Sequence, residues 1–172
     1  MAFNLANGQN IHNSDTPVVC QSCEARHRGV CGALTPEQLT RLSKHTTIHA
    51  VEREVQLQSA EDSQTTYSNI LSGVVKLSKL MSDGRQQIVG LQFAPDFMGR
   101  PFSKESDVTL EAATHVRLCS FPRSALEDML QESPEMEHKL HQQTLKELNE
   151  ARDWLLALGR KTAVEKVASF IL

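Results

Sequence analysis

The chain has 172 residues, of which 40% are apolar and 23% charged, with a formal net charge of −3. These are ordinary values for a globular protein and leave room for one good-sized domain plus an appendage. They provide no basic excess for holding nucleic acid. No apolar run approaches the ~20 residues of a membrane span, and the first residues lack the basic region and apolar core of a secretory signal. A cytoplasmic protein is predicted, in which clustered cysteines bind metal or do redox chemistry more often than they form disulfides.

In chain order, residues 1–19 are rich in Asn, Gly, Gln, Ser and Asp and read as a mobile, disordered tail. Residues 20–32 form a loop carrying Cys20, Cys23 and Cys31 in the pattern C-x2-C-x7-C, and the remaining cysteine, Cys119, lies far downstream in the apolar stretch H-V-R-L-C-S-F. Leu34-Thr35-Pro36-Glu37-Gln38-Leu39 then makes a complete helix start, with Thr35 as N-cap, Pro36 at N1, Gln38 closing a capping box and Leu34 stapling to Leu39. That helix is expected to end near His45.

From 47 to 121 the pattern changes to short strands with turn signals. Ile48 to Leu57 reads as a strand pair. Tyr67 to Leu71, the Ser72-Gly73 turn and Val74 to Leu80 read as strand, tight turn, strand. Ser82-Asp83-Gly84 turns the chain into Gln86–Phe93, and 108–113 and 116–121 complete the set. Six to eight strands at this spacing predict a sandwich or barrel, hence an α+β chain once the flanking helices are added.

The end is helical. A short helix is expected over 122–130. Ser133-Pro134 then opens a long helix over 134–158, whose residues Leu140, Thr144, Leu148, Ala151, Leu155 and Leu158 recur every three or four positions. A stripe this long predicts a parallel two-fold coiled coil and a homodimer. Gly159 is the expected stop and Thr162-Ala-Val-Glu165 the start of a further helix. The final Phe170-Ile171-Leu172 would be costly to leave exposed, so a further domain is expected beyond them.

Four thiolates from a local trio and a distant partner suit a tetrahedral metal or an iron–sulfur cluster. The spacing leaves three readings open: a cluster, in a sensor or a small iron–sulfur redox protein; Zn2+ held by the four cysteines or with His27 replacing one, in a zinc-stabilised binding module; and neither, the cysteines forming a disulfide pair or four independent buried thiols. Arg26, His27 and Arg28 lie where they would offset thiolate charge. His138 and His141, at i and i+3, read as a solvated helix face. No nucleophile elbow, Walker loop, H-E-x-x-H or dinucleotide fingerprint occurs, so no enzyme is predicted.

The segments L-S-G-V-V-K-L at 71–77, S-D-G-R-Q-Q-I-V-G-L-Q-F at 82–93, A-P-D-F-M-G at 94–99 and E-A-A-T-H-V-R-L-C-S-F-P at 111–122 resemble the sensory β-roll, an antiparallel jelly roll, of the CRP/FNR regulators. L-G-R-K-T-A-V-E-K-V-A-S-F at 158–170 resembles the end of that family's dimerisation helix and the entry to its DNA-binding domain. The resemblance covers roughly residues 20–172.

It implies a Cys loop at 20–32, a sensory domain at 33–131, a dimerisation helix at 132–159 and the start of a truncated DNA-binding domain at 160–172. Within the family the cysteines resemble the FNR-type oxygen sensors. That likeness implies a [4Fe–4S] cluster on Cys20, Cys23, Cys31 and Cys119, with the x7 gap similar to the FnrN-like branch, where the commonest branch has x5. Asp153 resembles an acidic residue that opposes dimerisation in the metal-free state.

The cyclic-nucleotide branch is not matched, because Gly99 is followed by Arg100-Pro101-Phe102 and no Arg stands between Pro101 and His115 to fork a phosphate. Arg100 is expected to pair on the surface. DNA would be read only through the missing helix-turn-helix, and RNA polymerase is the partner implied for a full-length protein.

Overall fold

The computed structural model describes residues 16–60, 62–103, 106–160, 162, 164–165 and 168. Two single-turn helices, α1 (Val18–Gln21) and α2 (Glu24–His27), and a 3-10 turn (Val30–Ala33) precede α3 (Pro36–Ser43). Eight strands follow: β1 (Thr47–Val51), β2 (Gln56–Gln58), β3 (Thr66–Ser72), β4 (Val74–Leu80), β5 (Gln86–Phe93), β6 (Phe97–Met98), β7 (Thr109–Ala112) and β8 (Val116–Pro122). Helices α4 (Arg123–Glu132) and α5 (Pro134–Arg160) end the described fold.

The strands form two antiparallel four-stranded sheets, ordered β1-β8-β3-β6 and β2-β7-β4-β5. This interleaving is that of a roll. The β4–β5 hairpin turns at Ser82–Gly84 as its sequence predicts, with Gly84 at φ 86° and its N–H donating to the Met81 carbonyl. The expected β3–β4 hairpin does not form. The strands follow one another through Gly73 but enter different sheets, β3 beside β8 and β4 beside β5 and β7. Gly73 has φ 89°, and a Cβ there would meet the His115 carbonyl oxygen at 2.4 Å. The Ser-Gly pair encodes a bend with a left-handed residue; it does not encode which strands the bend joins.

The period of two in a strand then divides the core. Ile70 on β3 and Val116 and Leu118 on β8 point between the sheets, with Val75, Met98, Val108, Leu110 and Ala112. Tyr67 and Phe121, of opposite parity, point the other way, into a second core with Val30, Leu34, Leu39, Leu42, Leu126, Met129, Leu130 and Met136. The sheet containing β3 and β8 is therefore covered on both faces, and for that reason residues 67–70 are all buried.

The helix starts behave as their residues dictate. Thr35 Oγ1 accepts from the Gln38 N–H at 3.3 Å and Gln38 Oε1 from the Thr35 N–H at 2.9 Å. Thr162 and Glu165 exchange the same reciprocal bonds. Three boundaries differ from expectation. Val18 and Val19, placed in the tail, belong to α1, and Thr16 before them is buried. Residues 20–32 are wound into single turns, where a loop was expected. Helix α5 runs through Gly159 to Arg160, since one Gly costs a helix only about 1 kcal/mol. Of the tail, 1–15, and of the terminal residues 161, 163, 166–167 and 169–172, those readings lie outside the described residues. So does the Leu158 side chain.

Candidate metal centre

Each cysteine arrives by a different local device. Cys20 lies in α1, Cys23 is the N-cap residue of α2, and Cys31 sits in the 3-10 turn. Cys119 shares parity with Phe121 on β8, so it faces the helices and not the other sheet. All four line one cavity, whose walls include Leu39, Leu42, Ile48, Leu71 and Phe121. The sequence trio and its distant partner are thus brought together by the sheet register and the packing of the 3-10 turn.

The thiols feel both burial and one another. Cys31 is 8% exposed; its pKa is pushed up to about 12 by burial first, then by Cys119, against a lowering hydrogen bond from Asn69. Burial, followed by the charges of Cys23 and Cys20, also lifts Cys119 to about 12. Cys20 is raised by burial and Cys23, and Arg26 opposes the shift. At neutral pH these thiols stay protonated in the metal-free chain. A metal must displace the protons, and its binding weakens as pH falls.

Of the three basic residues in the x7 segment, only Arg26 lines the cysteine cavity. The His27 ring lies 3.2 Å from the Gln21 carbonyl oxygen, and Arg28 pairs with Glu24 at 3.9 Å. Asn69 is a wall residue that sequence reasoning missed. It stands opposite Cys119 in the β3–β8 register, and its Nδ2 donates to Cys31 Sγ at 3.3 Å. The available signal was an Asn inside an apolar strand run, a position where Asn is depleted. Among the described residues no three His, Cys, Asp or Glu side chains converge closely enough to grip one metal ion; a zinc bound by thiolates at about 2.3 Å draws its sulfurs to within about 4 Å of one another.

The cysteine segment leans on α5. Val30 and Cys31 share a core with Met136, and Leu140 packs against it. Further along, Gln143 Oε1 accepts from the Phe97 N–H at 3.2 Å and its Nε2 donates to the Phe97 carbonyl at 3.0 Å. The sequence-predicted stripe is accordingly divided. Leu140 turns to the chain's own body, and Ala151 lines a cavity with Trp154 against β4 and β5. Thr144, Leu148 and Leu155 are exposed, together with Leu145 and Leu156, which the stripe did not include. Asp153 is exposed. At 100° per residue it lies about 140° around the helix from Leu148 and about 160° from Leu155.

A second cavity, of 410 Å³, lies between the β4–β5 hairpin, residues 100–108 and α5. Its cations are spoken for: Asp107 pairs with Lys79 at 2.5 Å and with Arg100 at 3.0 Å, and Glu147 and Glu150 add negative charge. The surface pairing expected of Arg100 is what the structure has. No helix among the described residues is long and apolar enough to cross a membrane.

Residues 50–133 match the family described as cyclic nucleotide-binding domain. A probable transcriptional activator of Rhizobium leguminosarum bv. viciae is 54% identical over 156 residues, covering 91% of this chain and 65% of that protein. The transcriptional activator protein FnrL of Cereibacter sphaeroides is 36% identical, covering 88% of this chain and 61% of its own length. The chain thus spans less than two thirds of either relative. Among solved structures, FixK2 from Bradyrhizobium japonicum superposes with a TM-score of 0.67 at 29% identity, covering 73% of this chain and 64% of that one. Such relatives are named as regulators and not as enzymes. An antiparallel roll capped by a long helix, matched at these levels, makes this chain a member of the CRP/FNR family, carrying its cyclic nucleotide-binding-type sensory domain.

Proposed function

We propose that this chain is the sensory part of an oxygen-responsive transcription activator, in which Cys20, Cys23, Cys31 and Cys119 hold a [4Fe–4S] cluster. The observation that carries the reading is the convergence of all four cysteines on one cavity. The donor set fits: four soft thiolates, an apolar shell, one cation at Arg26 and an amide donor at Asn69. Burial first, and then the neighbouring sulfurs, raise the pKa of Cys20, Cys31 and Cys119, so their thiolates need a polycationic core to coexist. The engagement of His27 with the Gln21 carbonyl oxygen disfavours the zinc set in which it replaces one thiolate.

Bound there, the cluster supplies a core that oxygen can destroy. The chain's part is mechanical. While ligated, Cys20, Cys23 and Cys31 pin the segment that holds Val30 against Met136 and steadies the first half of α5. The exposed Leu145, Leu148, Leu155 and Leu156 then meet their counterparts on a second copy, forming a homodimer. Released thiols free the segment and weaken that arrangement.

In a whole protein of this family, dimerisation positions a helix-turn-helix on DNA and lets RNA polymerase be recruited, in the cytoplasm. Those steps come to this chain by family membership alone. A cyclic nucleotide is not its signal: the cavity beside α5 has three carboxylates and two paired cations where a phosphodiester needs a free one.

Anaerobic reconstitution with ferric iron, sulfide and a thiol reductant tests this. The expected product is brown, with four irons and four sulfides per chain and a mass near twice 19.2 kDa by light scattering. Air should bleach it and return the monomer. Colourless protein with one zinc per chain overturns the reading of the site, and a loaded protein that stays monomeric overturns the dimer switch.

A further inference from the structure

We infer that Asn69 is a positioning residue for the metal centre, its side-chain amide donating to the Cys31 sulfur and setting how firmly the four-thiolate site holds what it binds. This rests on the cluster reading above and adds a residue to it. Three observations carry the inference. Asn69 Nδ2 lies 3.3 Å from Cys31 Sγ. The residue is 1% exposed, in the middle of the β3–β8 pairing and directly opposite Cys119, so its position is fixed by two ladders and not by a mobile rotamer. Its Oδ1 is buried with no hydrogen-bond partner.

The orphaned oxygen separates a functional role from a structural one. A buried amide satisfied at one end only is a poor choice for the fold alone, because an apolar side chain of the same shape would leave nothing unpaired. The amide is useful only through its N–H. A donor aimed at a thiolate spreads the negative charge, stabilises the ligated form over the free thiol, and raises the reduction potential of a cluster on that sulfur. The same wall offers Cys31 no cation at this distance among the described residues, Arg26 acting on Cys20. Cys31 also lies in the 3-10 turn whose Val30 shares a core with Met136 of α5. The amide therefore acts on the thiolate whose release most directly frees the segment from the long helix.

The test uses the 172-residue chain with Asn69→Leu, which keeps the branched shape of the side chain and removes the donor, and Asn69→Ser, which keeps a smaller donor. Without metal, Asn69→Leu should melt at or above the parent temperature. Reconstituted, it should still take up four irons, but its reduction potential should fall and its iron should be lost to air or a chelator about 10- to 100-fold faster. Asn69→Ser should lie between it and the parent in both readouts. An Asn69→Leu protein with unchanged potential and unchanged iron loss overturns the inference alone. Metal-free and loaded forms destabilised in parallel overturn it too, by showing that Asn69 serves packing. A parent chain that takes up no iron overturns the reading of the site and this inference with it.

Discussion

Strands β1 to β8 hold one another through two four-stranded ladders, and their side chains fill one core between the sheets and another beneath the helices. Residues 18–33, by contrast, are two four-residue helices and a 3-10 turn, none with a side-chain cap, burying only Ala25, Val30 and Cys31. A single helical turn fixes several residues for one or two hydrogen bonds and is unfavourable by itself. The roll therefore has its own reasons to be ordered, whereas the cysteine segment depends on what it touches: Met136 on one side, and whatever joins Cys20, Cys23 and Cys31 to Cys119 on the other. The inequality suits the sensor proposed above: the element that would respond lies at the low end of the stability range, and the strand that carries Cys119 does not.

The largest expected effect tests that inequality directly. Cys119→Ser should abolish stable iron loading while leaving the roll folded. Amide exchange should then rise across residues 18–33 and stay protected in β3 and β8. Loss of protection in the strands as well would show that segment and roll form one cooperative unit.

Next in size, Leu126→Ala removes a fully buried side chain of α4 from the core that both regions share. It should cost about 2–5 kcal/mol. Chemical denaturation should find that loss in the loaded and metal-free forms alike; a loss confined to the loaded form would place α4 with the sensor and not with the scaffold.

The smallest effect is expected at Asp153. An acid beside a two-fold seam meets its own mate and repels it, but Asp153 stands at the flank of the exposed stripe, about 140° and 160° around α5 from Leu148 and Leu155 and about 60° and 80° from Leu156 and Leu145. Asp153→Ala should therefore shift stability by under about 0.5 kcal/mol and the dimer constant by about twofold at most, read by sedimentation in air and without air. A variant that stays dimeric in air would place Asp153 within the seam, on its Leu156 side.

The features legible in the sequence are those written in short windows. Thr35 and Gln38 announce a helix start because the capping box needs only four residues. Ser82-Asp83-Gly84 announces the β4–β5 hairpin because its turn needs a left-handed residue at Gly84. Cys20, Cys23 and Cys31 announce a thiolate cluster because their spacing is local, and alternation in V-R-L-C-S-F sets Cys119 and Phe121 on one face once the segment is a strand.

Partner choice is not local, and only the tertiary structure decided it. Gly73 signals a bend, yet β3 and β4 part into different sheets because β3 finds β8 and β6 while β4 finds β5 and β7. The stripe on α5 records which residues are apolar; it cannot record that Leu140 and Ala151 turn inward against the roll, leaving Leu145 and Leu156 on the outer face with Leu148 and Leu155. Asn69 looks like a flaw in a strand until the register sets it opposite Cys119 and the 3-10 turn brings Cys31 to its amide. Backbone dihedrals and side-chain period are set by neighbours in the chain. Contacts such as these are set by the free energy of packing distant segments, and no short window contains that.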